Sequence, residues 1–149
     1  MPEKKTIAEA RKAKREGKSP STQAGAFVHE EIEHIRDGEH GARSAKQAIA
    51  IGLSKARRAG VKLPPPPNTA SERTKQTAKR DSARAGKATK PSPARSRAAK
   101  KALADEPHAA ASTLALSRQA RAAAKRRPAK ARKAAAKKAA KTRARNENS

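Results

Sequence analysis

The sequence predicts a mostly α-helical protein: a small N-terminal helical module, an αα-hairpin with a leading helix, followed by a largely disordered basic tail with nascent helices. Three observations carry this expectation. The large apolar residues come early. Ile7, Phe27, Val28, Ile32, Ile35, Ile49, Ile51, Leu53, Val61 and Leu63 lie in 1–63, and only Leu103, Leu114 and Leu116 follow. Charge is distributed the other way: 1–63 carries 14 basic and 8 acidic residues, 64–149 carries 24 and 5. Finally, 37 residues are Ala, so the hydrophobic fraction of 34% overstates what can be buried, and the net charge of +25 favours disorder.

Each element has its own punctuation. Thr6-Ile7-Ala8-Glu9 reads as a capping box and Gly17 as a stop, which predicts a helix over 6–16. Ser19 as cap, Pro20 at the first position and Gly38 as stop predict a second over 20–37. Ser44-Ala45-Lys46-Gln47 is another capping box, and Gly60-Val61 reads as a Schellman ending, giving a third over 45–59.

At the helical period, Ala24, Val28, Ile32 and Ile35 share one face of the second helix, with Phe27 at its edge. His29, Glu30, Glu33, His34 and Asp37 fall opposite, which predicts a solvated acidic face. The third helix groups Ala45, Ala48, Ile49, Gly52, Leu53 and Ala56, and its small residues allow close approach to the second. Such a hairpin is marginal alone. Ile51, outside the stripe, offers a candidate homodimer contact through the N-terminal helices.

Pro64-Pro65-Pro66-Pro67 marks a boundary, so the expected division is a helical module (1–63), a Pro-rich linker (64–69) and a basic Ala/Lys/Arg-rich tail (70–149). Within the tail, Thr69-Ala70-Ser71-Glu72 reads as a capping box with Gly86 as stop. Ser92-Pro93 and Glu106-Pro107 can each open a helix, and Pro128 interrupts the last run. Residues 118–145 hold 13 basic residues, 12 Ala and no acid. Helix propensity is high there, but without an apolar stripe and with dense like charge these helices are expected to fray.

The segment Ser44–Pro64, SAKQAIAIGLSKARRAGVKLP, resembles a widespread family of short basic bacterial proteins catalogued as a domain of unknown function. The resemblance extends over roughly residues 1–65 and implies a bacterial cytoplasmic protein without implying an activity. The tail is similar in composition to the Lys/Ala/Pro-rich tails of linker histones and bacterial histone-like proteins. There Ser92-Pro93-Ala94-Arg95 is similar to their Ser-Pro-basic-basic element, with Ala94 in place of one basic residue.

Several site types are excluded or disfavoured. The absence of Cys excludes disulfides, thiolate zinc sites and cysteine nucleophiles. Gly17-Lys18-Ser19 is not a P-loop, because position 12 is Lys and no strand precedes it. His29-Glu30-Glu31-Ile32-Glu33-His34 differs from a zinc-protease helix, since its two His are five apart, about 140° around the helix. Glu33 with His29 and Glu30 with His34 have i,i+4 spacing, yet a solvated acidic face pairing with the basic tail is the stronger reading. No metal site, cofactor or catalytic constellation is expected, and the protein is read as a non-enzyme.

The residues point to nucleic acid. The expected contacts are Arg95, Arg97, Arg118, Arg121, Arg126, Arg127, Lys130, Arg132, Lys133, Lys137, Lys138, Lys141, Arg143 and Arg145. Lys130, Lys133, Lys137, Lys141 and Arg145 recur at 3–4 spacing as a helical stripe. Such side chains neutralise phosphates and release counterions, without base readout. One Phe cannot supply a stacking platform, so duplex DNA or structured RNA is the expected partner rather than a single strand. The expectation is sequence-nonspecific DNA binding in the nucleoid. The alternatives are an RNA- or ribosome-associated basic protein, or a protein-interaction module with an accessory polycationic tail. No secretory segment or membrane span is expected: the longest apolar run, Ala48–Leu53, falls far short of the ~20 residues a span needs.

Overall fold

The structure, a computed structural model, describes residues 2–87 and 92–147. Seven α-helices follow one another among these residues: α1 (Lys4–Arg15), α2 (Pro20–Arg36), α3 (Ala45–Arg58), α4 (Glu72–Ala83), α5 (Pro93–Ala104), α6 (Thr113–Lys125) and α7 (Ala129–Glu147). A short 3-10 turn, His108–Ala111, separates α5 from α6. The chain divides into two compact units, Met1–Ser112 and Thr113–Ser149, so Pro64–Pro67 lie within the first.

In the first unit, α2 packs against α1 and α3, α4 packs against α3, and the 3-10 turn packs against α2 and α3. Phe27 is fully buried in one apolar cluster with Ala10, Ala24, Ala56 and Val61, flanked by Ile7, Leu53 and Leu63. Ile35 anchors a second with Ala42, Ala48, Ala110 and Ala111, flanked by Ile32. Phe27 is therefore a centre of the core, whereas the helical period placed it at an edge. The close approach expected at Gly52 is present: a Cβ there would lie 2.7 Å from the Val28 Cα.

Most of the expected punctuation marks are formed, Ser92-Pro93 at the start of α5 among them. Ser19 accepts from the Thr22 amide at 3.4 Å, with Pro20 at the first helical position. Ser44 accepts from the Gln47 amide at 3.2 Å, although the Gln47 side chain reaches the Arg43 amide rather than that of Ser44. At the end of α3 the Gly60 amide donates to Arg57 O and the Val61 amide to Ala56 O, which is the Schellman pattern.

Two caps differ from expectation. The Thr6–Glu9 capping box does not form, because α1 begins at Lys4 and Thr6 is buried inside it. A residue of another helix replaces it: Glu30 of α2 accepts from the Glu3 amide at 3.1 Å. The cap of α4 is Ser71, accepting from the Thr74 amide at 3.2 Å, and not Thr69.

The acidic face of α2 is solvated only in part: His29 and Asp37 are exposed and Glu33 and His34 half-buried. Glu30 is almost fully buried and Glu31, which follows it, entirely so. Their cation is Lys55 of α3, not the basic tail. A helix sandwiched between two others has too little perimeter left for an all-solvent face.

The expectation of a largely disordered tail is overturned. Beyond the prolines, α4 to α7 and the 3-10 turn take up most of the described residues, while 88–91 and 148–149 lie outside them. Tertiary contacts explain the early part. Asp81 of α4 accepts from Ser54 Oγ at 2.5 Å, and Ala110 and Ala111 enter the core. The opening at Glu106-Pro107 yields only the 3-10 turn, held there by Arg36 Nε donating to Ala111 O at 3.1 Å.

In α6 Leu116, Gln119, Ala122 and Ala123 are half-buried, whereas every residue of α7 is exposed, so the helicity of α7 is local. Each like-charge pair at i,i+4 costs about 0.2–0.5 kcal/mol. Ala exceeds ordinary residues by up to ~0.7 kcal/mol per position, and Lys and Arg rank close behind. With 12 Ala in 118–145, propensity outweighs repulsion. Pro128 separates the two helices as the sequence implies, its carbonyl accepting from the Arg132 amide in the first turn of α7.

Candidate functional site

Two groups of charged side chains stand out, of opposite sign. The first lies where α1, α2 and the turn after α2 meet. Gly38, at φ +79°, reverses the chain there, and the Glu39 amide donates to His34 O at 3.0 Å. That turn needs the left-handed conformation a side chain disfavours. It brings Glu39 and His40 back beside His34. Beyond it, the Gly41 amide donates to Leu103 O at 2.8 Å and the Ala42 amide to Pro107 O at 3.0 Å, which fixes the returning strand of chain.

The result is an open cleft of about 510 Å³ whose wall includes Glu3, Glu9, Glu30, Glu33, Asp37 and Glu39, with His29 and His34. Burial pushes the Glu30 carboxyl up, but the Thr6 hydroxyl, the Glu3 amide, Lys55 and His34 together outweigh it and hold the group below its ordinary value. Behind Glu30 lies Glu31. Lys55 Nζ is 2.6 Å from Glu31 Oε2, and His40 Nε2 is 3.3 Å from Oε1. Neither oxygen receives a hydrogen bond of acceptable geometry, although both are cut off from solvent. Lys55 thus supplies charge without an aimed donor.

His34, 16% exposed, stands between Glu3 (3.6 Å) and Glu39 (3.8 Å). The His40 ring meets it edge-on at a centroid separation of 6.5 Å. Ligand atoms of Glu31, His34 and His40 all lie within 4.8 Å of one another. The sequence pairings of His29 with Glu33 and of Glu30 with His34 are not the ones assembled, and His29 is exposed. Glu31 and His40 were missed. The readable signal was the Glu31-x-x-His34 spacing, which puts both on one helix face ahead of a glycine that turns the chain back.

The second group is basic. Arg95 and Arg97 are exposed on α5, in the first unit. In the second unit, Arg118 and Arg121 lie on α6, Arg126 and Arg127 in the link, and Lys130, Arg132, Lys133, Lys137, Lys138, Lys141, Arg143 and Arg145 on α7, all exposed. Because α7 is continuous over Ala129–Glu147, the stripe is a face. Lys130, Lys133, Lys137, Lys138, Lys141 and Arg145 fall within an arc of about 140°, with Arg132 and Arg143 behind. The only acid in the second unit is Glu147.

Residues 4–66 match the model of a family of unknown function, DUF6496. The DUF6496 segment starts where α1 starts and ends within the prolines, so it contains α1, α2, α3 and the whole Glu31–His34–His40 group. Helices α4 to α7, and every residue of the basic group, lie outside it. No curated protein and no solved structure matches the chain. Among the described residues, no helix is long and apolar enough to cross a membrane.

Proposed function

We propose that the protein binds nucleic acid without enzymatic turnover, neutralising the phosphates of duplex DNA through its second unit with little sequence preference. The observation that carries this reading is the α7 face: six cationic side chains along a 19-residue helix of about 28 Å, with no acid among them. A rigid row of cations tracks a phosphate backbone and releases its counterions, and Ala between the cations lets the helix approach closely. That face carries no Asn or Gln to read adenine, and its long flexible cations are not fixed against base edges, so specificity is expected to be low. Association with the nucleoid is the cellular counterpart of this reading.

The test is a salt titration against two unrelated duplexes. Six contacts from α7 predict a log–log slope of about −5, and the remaining basic residues extend it toward roughly 6–10 contacts in all. Lys137→Gln is expected to reduce the slope by about 1 and to weaken both duplexes equally, while Lys137→Arg preserves it. A shallow slope, or a loss confined to one duplex, overturns the reading.

A further inference from the structure

The geometry points to a second site, unrelated to nucleic acid: we propose that Glu31, His34 and His40 bind a divalent transition metal of the zinc class. Its starting point is the tautomer of His40. The Nδ1 atom lies 3.1 Å from Gly41 O, and a carbonyl only accepts, so Nδ1 carries a hydrogen and the neutral ring, the form that binds metal, presents its lone pair at Nε2. That lone pair faces Glu31 Oε1 at 3.3 Å. With His40 neutral, two acceptors meet in a site where Glu31 is wholly buried and its oxygens receive no hydrogen bond. Such a pair calls for a cation between them.

The spacing fits a metal. With zinc 2.0–2.2 Å from nitrogen and oxygen, a tetrahedral angle separates the two ligand atoms by about 3.4 Å. The backbone hydrogen bond on His40 Nδ1 is the outer contact that metal-bound imidazoles generally make. His34 supplies the third ligand from the same face of α2. When one of its nitrogens binds metal, the other remains directed at Glu3 or Glu39. Two imidazoles and one carboxylate suit zinc, and leave its fourth coordination position to water.

Electrostatics supports this despite Lys55. Glu3, Glu30, Glu31 and Glu39 place four carboxylates around the site against Lys55 and, in the cleft wall, Lys5, so the surroundings stay negative. Lys55 sits on Oε2 and leaves Oε1 to the metal.

The experiment is calorimetric titration of the full chain with zinc, repeated with cobalt, whose visible absorption reports coordination geometry. One metal per chain and a tetrahedral cobalt spectrum are expected. His34→Ala and His40→Ala should each weaken binding by more than about tenfold. His29→Ala and His108→Ala, which change exposed imidazoles outside the group, should leave it unchanged. Ring resonances of the unsubstituted protein make the same assignment without relying on any variant: zinc should shift His34 and His40 and spare His29 and His108. Failure to bind metal, or losses as large in the His29 and His108 variants as in His34 and His40, overturns the proposal.

Discussion

Helices α2 and α7 are nearly the same length, 17 and 19 residues, and are helical for opposite reasons. α2 contains Gly25, Phe27, Val28, Ile32 and Ile35, none a strong helix former, and buries Ala24, Phe27, Glu30, Glu31 and Ile35. α7 is built almost wholly from Ala, Lys and Arg and buries nothing. One helix is held by its neighbours and the other by its own backbone. Charge in α2 is consequently a matter of specific partners, and charge in α7 a matter of density along a face.

That contrast can be broken by substitution, with a chelator present so that bound metal does not contribute. The largest effect is expected from Lys55→Met. Removing the cation leaves Glu30 and Glu31 buried without it, which costs about 3–5 kcal/mol. Chemical denaturation should report that loss, and amide exchange should place it in α2 and α3, with α7 exchange and the salt slope of DNA binding unchanged. If α7 loses protection in step, the two regions are one cooperative unit and the comparison fails.

Gly52→Ala comes next. The new Cβ would lie 2.7 Å from the Val28 Cα, backbone that cannot rotate away, so α2 and α3 must separate. A cost of about 1–3 kcal/mol is expected in the melting of the first unit. An unchanged melting temperature would show that the α2–α3 approach is looser than the structure has it.

The mirror experiment on α7 is smaller. Ala135→Gly removes no buried contact and should cost about 1 kcal/mol of local helicity, measurable by exchange in α7 alone. The same substitution at a tertiary contact would cost more, because packing is lost along with propensity. A broad loss beyond α7 would mean that its helix is supported by more than propensity.

The smallest expected effect is the acid dependence of Glu30. Its folded carboxyl titrates below the ordinary 4.5, so its contribution is fully present above that value and is lost as pH falls through the lowered one. Glu30→Gln should flatten stability against pH in the acid range below about 4.5 and leave the neutral range nearly parallel. Unaltered acid dependence would remove Glu30 as the cap of α1.

Much of the fold was legible because helix ends are local. Ser19-Pro20, Ser44 and Gly60 announce their boundaries with groups that bond within a few residues of themselves. The α7 stripe was legible for the same reason, since spacing alone sets a face once the helix is continuous. The fate of the carboxylates on α2 was not legible. Period placed Glu30 opposite the apolar stripe, but whether that side meets water depends on where α1 and Lys55 arrive, and neither is encoded near it in sequence. The tail was misjudged on magnitude: repulsion between like charges is individually visible in the sequence and sums to less than the helix propensity of the Ala, Lys and Arg around it.

The sequence by itself determined the ends of α2 and α3 and the spacing behind the cationic face of α7, because these depend on backbone hydrogen bonds and spacings that close within one or two turns. Only the tertiary structure decided that Glu30 caps α1, that Lys55 neutralises two buried carboxylates, and that Glu31, His34 and His40 converge. Those outcomes require residues far apart in the chain to be desolvated together. Burial changes what a charge needs: in water Glu31 would be satisfied anywhere, and in the interior it depends on the particular groups that packing brings to it.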